Sequence, residues 1–133
     1  MTFVLERLAL GDLEDLENPA RGVGSILNVA EEVDVDPPRC RYKKIPLTDG
    51  QPIPVERLIE AVEWVRERIA SDRVLVACHY GVGRSASVVI AYLCSVGFGY
   101  GEALDFVSSK RPRVDPVPHL EQTIVEILGH PED

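Results

Sequence analysis

Cys78 and Arg84 stand either side of five residues, in Cys78-His79-Tyr80-Gly81-Val82-Gly83-Arg84-Ser85. A continuous apolar run, Val74-Leu75-Val76-Ala77, precedes them, and a helical run through Leu93 follows. A short loop between a buried strand and a helix start points backbone N–H groups inward and makes a nest for an anion. Gly81 and Gly83 allow a tight turn and close backbone approach. Arg84 offers a planar fork that holds two oxygens of a phosphate. The same positive field favours the thiolate of Cys78. One loop therefore binds an oxyanion and holds a nucleophile beneath it. A lone cysteine is often only a small buried residue, and an arginine here could merely be part of a helix start. The combination, in strand–loop–helix context, points to chemistry.

Expelling an alkoxide or phenoxide needs a proton, which a placed carboxylic acid supplies. Asp49 lies 29 residues before Cys78, after a strand, in Ile45-Pro46-Leu47-Thr48-Asp49-Gly50. The intervening helix and strand form a crossover that returns the chain beside that strand, so both loops open on one sheet edge. An aspartate before glycine is also common in plain turns. Asp72, six residues before Cys78, falls about 20 Å away at the opposite strand end. Asp115 is expected to cap the last helix. Pro46, Pro52 and Pro54 stiffen the acid-bearing loop.

The elements that must position these groups alternate between short apolar runs and amphipathic stretches, the pattern of an α/β domain. Strands are expected at Phe3–Leu5, Leu8–Leu10, Ser25–Val29, Arg41–Ile45 and Val74–Ala77. Asp12 opens a short helix. Asp36-Pro37-Pro38 breaks the chain. The strongest helix runs from about Pro54 to Ala70, with Val55, Leu58, Ile59, Val62, Val65 and Ile69 on one face. Gly97 and Gly99 end the helix after the loop, and two more helices are expected over 102–109 and 118–128.

The stretch VLVACHYGVGRSASVVIAYL resembles the phosphate-binding signature of cysteine-dependent protein tyrosine phosphatases, in particular the dual-specificity branch. LALGDLEDL and GSILNVAEEV are similar to that family's early strands, YKKIPLTDG to its general-acid loop, and YGEALDFVSSKRPRVDPVPHLEQTIVEIL to its C-terminal helices. The resemblance covers nearly the whole chain. It implies one catalytic domain over 1–133, with a central, mostly parallel sheet of about five strands and helices on both faces. It also implies hydrolysis of phosphomonoesters through a phosphocysteine, without metal or cofactor. Cys78 would be the nucleophile, and Arg84 with the amides of residues 79–84 would hold the phosphate. Asp49 would be the acid, and Ser85 would bond the sulfur and help it leave. Two departures from the family stand out. Ala77 replaces the histidine that usually precedes the cysteine, and Val117 replaces the asparagine that often follows the proline. His79 is expected at the rim, not as a substitute.

Composition narrows the partners. The 133 residues carry 22 acids against 14 bases, a net charge of −8, which disfavours nucleic acids and anionic membranes. Nine of the acids and only two bases fall in residues 1–36, read as a solvated acidic face or as one that repels acidic partners. No apolar run is long enough to span a bilayer, and no secretory signal is recognisable. Three widely spaced cysteines indicate no disulfide framework and fit a reducing cytoplasm. Cys40 and Cys94 are expected to be inert, a resolving role staying open. Lys110, Arg111 and Arg113 are a solvated helix end or a second phosphate patch, and Lys43 and Lys44 are read the same way. Phosphorylated proteins or peptides are the expected substrates, phosphotyrosine foremost with phosphoserine and phosphothreonine possible, and a monomer is the expected state. The rival readings are an RNA 5′-phosphatase, a phosphoinositide phosphatase, a phospho-binding module of low turnover, and a sulfurtransferase. The loop interior has no lysine or arginine, which disfavours multiply phosphorylated substrates. A sulfurtransferase has no need of Asp49 or Ser85.

Overall fold

The computed structural model describes residues 1–36 and 39–129. The strands are β1 (Thr2–Leu5), β2 (Leu8–Gly11), β3 (Ser25–Ala30), β4 (Arg41–Leu47) and β5 (Val74–Ala77). The helices are α1 (Leu13–Glu17), α2 (Val55–Ile69), α3 (Arg84–Ser95), α4 (Tyr100–Lys110) and α5 (Leu120–Leu128). The strands form one sheet in the order β1-β2-β5-β3-β4. All neighbours are parallel except the edge pair β1–β2.

Every residue of β2, β3 and β5 is buried, so the sheet centre is covered on both faces. Helix α3 packs against α2, α4 and α5 and lies over the central strands, whereas α1 packs on β2 and β5. Because β2, β5, β3 and β4 run parallel, their carboxyl ends share one edge. Ligands of open α/β sheets bind at that edge. No helix of the described residues is long and apolar enough to cross a membrane.

The expected elements are present, with shifts that have local causes. Strand β4 continues through Pro46 to Leu47, since an edge strand can spare the N–H that proline lacks. Helix α4 begins at Tyr100, two residues early, because the Glu102 carboxylate accepts from the Gly99 N–H (3.2 Å) and closes the first turn. Helix α5 begins at Leu120, two residues late, behind a left-handed His119 (φ 62°). Asp115 therefore caps no helix, contrary to expectation. The crossover from β4 through α2 also differs: β5 lands one strand beyond, with β3 between it and β4. Pro37 and Pro38, expected to break the chain, lie outside the described residues.

Candidate active site

The loop after β5 wraps the sulfur of Cys78. The Gly81 N–H donates to Sγ at 3.3 Å, and Ser85 Oγ lies 3.2 Å from it on the other side. The sulfur thus accepts a backbone hydrogen bond and shares another with a hydroxyl. Among the described residues, the amides of His79, Tyr80, Val82, Gly83, Arg84 and Ser85 have no protein acceptor. Those amides and the first turn of α3 together make an anion nest. Gly81 adopts φ 74°, and a Cβ there would meet Gly11 O at 2.8 Å and Arg111 Nη2 at 2.6 Å. Only glycine fits. Gly83 carries no such constraint: its φ is −109°, and a Cβ there would find ordinary contact with Asp115 O at 3.6 Å.

Arg84 is 1% exposed, the largest fully buried side chain among the described residues. Its Nη1 donates to Glu32 Oε1 at 2.7 Å and to the Leu47 carbonyl at 3.0 Å, and its Nη2 donates to Glu32 Oε2 at 2.8 Å. Three donors are thereby spent. What remains is the Nε–H and one N–H of Nη2, side by side on one edge of the guanidinium. Nε is buried and has no hydrogen-bond partner among the described residues. An unpaired buried donor costs free energy unless a ligand completes it, and a pair on one edge is a bidentate seat for two oxyanion oxygens. Glu32 and Leu47 hold the far end of the fork, which fixes where that seat faces.

Glu32 was not among the residues singled out from sequence. It lies in the acid-rich stretch after β3, where acids read as solvated surface. The Arg84 fork holds its carboxyl at about 2, against an ordinary 4.5. The same bond raises Arg84 above its ordinary value. The turn that carries Glu32 is built by buried Asn28, whose Nδ2 donates to Val33 O (2.9 Å) and Tyr42 Oη (3.0 Å), and whose Oδ1 accepts from Ala30 N (2.9 Å). A buried polar residue at the end of a central strand is the sequence signal that could have marked this turn.

Cys78 and Arg84 share a cavity of about 350 Å³ with Asp49, Tyr80, Val82, Asp115 and Pro116–Pro118. Asp49 arrives from the loop after β4, and its Oδ1 stands 3.9 Å from Arg84 Nε. The intervening β3 thus does not separate it from Cys78. The 115–117 segment is tied to the loop at two points. Asp115 N donates to Val82 O (2.8 Å), and buried Ser87 Oγ donates to Gly83 O (2.8 Å) while accepting from Val117 N (2.9 Å). The Val117 side chain is buried, and Ala77 is fully buried, so neither puts a polar side-chain atom where the family departures fall.

Arg111, Lys110, Lys43, Lys44 and the two other thiols have other surroundings. Arg111 donates to Thr2 Oγ1 (3.0 Å), lies 4.0 Å from Asp12 and packs beneath Gly81, so it buttresses the loop. Lys110 stands over the Phe106 ring. Lys43 pairs with Glu60 at 3.0 Å, and Lys44 with Asp34 at 2.6 Å. Cys40 precedes β4 at the amino edge, level with Gly24 beyond the start of β3. Cys94 lies in the last turn of α3, about 15 Å along its axis from Arg84. Burial raises both thiols, Cys94 to about 11. Neither is placed to resolve an oxidised Cys78. Asp72 also sits at the amino edge, accepting from Ser25 Oγ at 2.7 Å. Among the described residues no cluster of histidine, cysteine and carboxylate side chains could hold a metal ion.

Residues 14–128 match the family model described as dual specificity phosphatase, catalytic domain. The chain is 31% identical over 133 aligned positions to dual specificity protein phosphatase 15 of Rattus norvegicus, covering 95% of this chain and 56% of the relative. It is 34% identical over 129 positions to dual specificity protein phosphatase 2 of Homo sapiens, covering 90% of this chain and 40% of the relative. The chain thus spans about half the length of the curated relatives it matches. The crystal structure of DUSP15 superposes with a TM-score of 0.84 at 25% identity, covering 96% of this chain and 86% of that one. With loop, fork and sheet order in place, the chain belongs to the dual specificity phosphatase catalytic-domain family.

Proposed function

We propose that the chain is a metal-independent protein phosphatase that works through a phosphocysteine on Cys78, acting on phosphotyrosine foremost and on phosphoserine and phosphothreonine with it. The observation that carries the reading is the unspent edge of Arg84, with its orphaned Nε, in the same cavity as Cys78 Sγ and Asp49. The thiolate attacks phosphorus, and the S–P bond forms as the bond to the ester oxygen breaks. Arg84 and the loop amides stabilise the equatorial oxygens. Asp49 delivers its proton to the leaving oxygen. Water then attacks phosphorus and gives a proton to Asp49, and the S–P electrons return to sulfur while Ser85 bonds it. Inorganic phosphate leaves.

Polyphosphorylated RNA ends and phosphoinositides fit less well, because the loop interior, His79 to Gly83, carries no lysine or arginine and Arg111 is committed to Thr2 and Asp12. The three free thiols support a reducing, cytoplasmic setting. The test is hydrolysis of p-nitrophenyl phosphate in excess chelator. Full activity is expected, with an acid-quenched phosphoryl group on the peptide containing Cys78. Cys78→Ser should abolish turnover and keep phosphate binding. Activity that chelation removes and metal restores, or hydrolysis by pure Cys78→Ser, would overturn the proposal.

A further inference from the structure

We infer that Tyr80 is a specificity-determining residue, its ring forming an aromatic wall that selects aryl over alkyl phosphomonoesters. The inference rests on the phosphatase reading above and names what that reading leaves open, the chemistry of the group attached to phosphorus.

Arg84, Cys78 and the loop amides account for the phosphate, and Asp49 for the proton. Tyr80 lines the same cavity, and while its amide belongs to the nest its side chain has no part in either. It is 64% exposed, more than any other large apolar side chain described. Scattered exposed aromatics are ordinary on protein surfaces and need no explanation. This one differs by its place, two residues from the nucleophile at the mouth of the cavity. The ring is also braced, not loose. It stands edge-on to His79, with centroids 4.3 Å apart at 86°, and the His79 carbonyl accepts from Leu13 N at 3.0 Å. The backbone of that neighbour is thus tied to the start of α1.

With phosphate seated on Arg84 above Sγ, the ester oxygen and its substituent must pass out through the mouth. The apolar lining there comes from Tyr80, Val82, Pro116 and Pro118. A flat arene pairs with the Tyr80 ring edge-on or offset, whereas a seryl or threonyl ester leaves the ring without a partner. Aromatic pairing of this kind is worth roughly three- to tenfold in affinity beyond area burial.

The test compares one peptide sequence carrying phosphotyrosine or phosphothreonine, measured by kcat/KM in the parent and by calorimetry in a Cys78→Ser background. Tyr80→Ala should lower the aryl-to-alkyl ratio roughly three- to tenfold in both assays. Tyr80→Phe should restore it, because the ring and not the hydroxyl acts. Inorganic phosphate reports on the anion seat separately. Losses equal for both peptides and for phosphate, or an unchanged ratio in Tyr80→Ala, would overturn the inference. An inactive parent whose Cys78→Ser form still prefers the aryl ester through Tyr80 would sustain it while overturning the enzyme reading.

Discussion

Replacing Glu32 with glutamine tests whether the carboxylate positions the Arg84 fork. Glutamine keeps the shape but presents an NH2 group to one guanidinium N–H and removes the charge. The drop of the Glu32 carboxyl from 4.5 to about 2 sets a ceiling of about 3 kcal/mol on the pair. The Glu32 side chain is 45% exposed, so solvent screening reduces this to roughly 1–2 kcal/mol. Glu32→Gln should then lower Tm by roughly 3–8 °C. The substrate must supply the same free energy to order Arg84, so kcat/KM on p-nitrophenyl phosphate should fall roughly 5- to 30-fold. Because the folded carboxyl is depressed, its contribution is complete above about pH 4.5 and is lost as pH falls towards about 2. The Tm difference between parent and variant should therefore be full at neutral pH and shrink across that acid window. Parent-like Tm and kcat/KM in Glu32→Gln would refute the positioning role. A rise in kcat/KM would refute it differently, by showing that the carboxylate competes with phosphate for the fork.

Asp49→Asn should lower rates on phenyl and alkyl phosphates by roughly 10²–10⁴, with smaller losses for good leaving groups; equal losses across leaving-group pKa would remove Asp49 as proton donor. Arg84→Lys keeps the charge but can satisfy neither Glu32 bidentately nor the two-oxygen seat, so kcat/KM should fall by more than tenfold, and a change within a factor of about three would make the arginine's role structural. Ser87→Ala unties Gly83 from Val117 and leaves a buried amide unpaired, which should cost roughly 1–3 kcal/mol in denaturant unfolding; an unchanged midpoint would show that the 115–117 segment needs no such tie.

The loop from Cys78 to Arg84 is legible because its demands are local. A buried apolar run, a glycine with forced φ, a cysteine and an arginine all lie within a few residues of each other, and sequence displays such neighbours directly. The same holds for α2, whose apolar period is complete within one helix. Glu32 was hidden because its meaning is nonlocal: 52 positions separate it from Arg84, and its neighbours are acids with no partner in view. Asp115 was misread for a related reason. A proline-bounded aspartate ahead of a helical pattern has the features of a cap, and the left-handed turn at His119 moves the helix start beyond its reach. The strand order likewise does not follow from chain order, since pairing of β5 with both β2 and β3 is decided by which apolar faces need cover.

The parallel sheet also decides where the chain's excess negative charge goes. Asp12, Glu14 and Asp15 follow β2, and Glu31, Glu32 and Asp34 follow β3, so the acid-rich quarter converges on the edge that holds the cavity. Of these six, Asp12, Asp15, Glu32 and Asp34 are paired with Arg111, the amino terminus, Arg84 and Lys44, so Glu14 and Glu31 carry the uncompensated charge that a doubly charged phosphate monoester must pass to reach the buried Arg84–Glu32 pair. Diffusional encounter is therefore retarded for acidic phosphopeptides and hastened for those with lysine or arginine beside the phosphorylated residue. Ionic strength should act with opposite sign on the two. Added salt screens the rim, raising kcat/KM for acidic peptides and lowering it for basic ones, and the crossing of the two salt dependences measures how much of the proposed selectivity operates before contact.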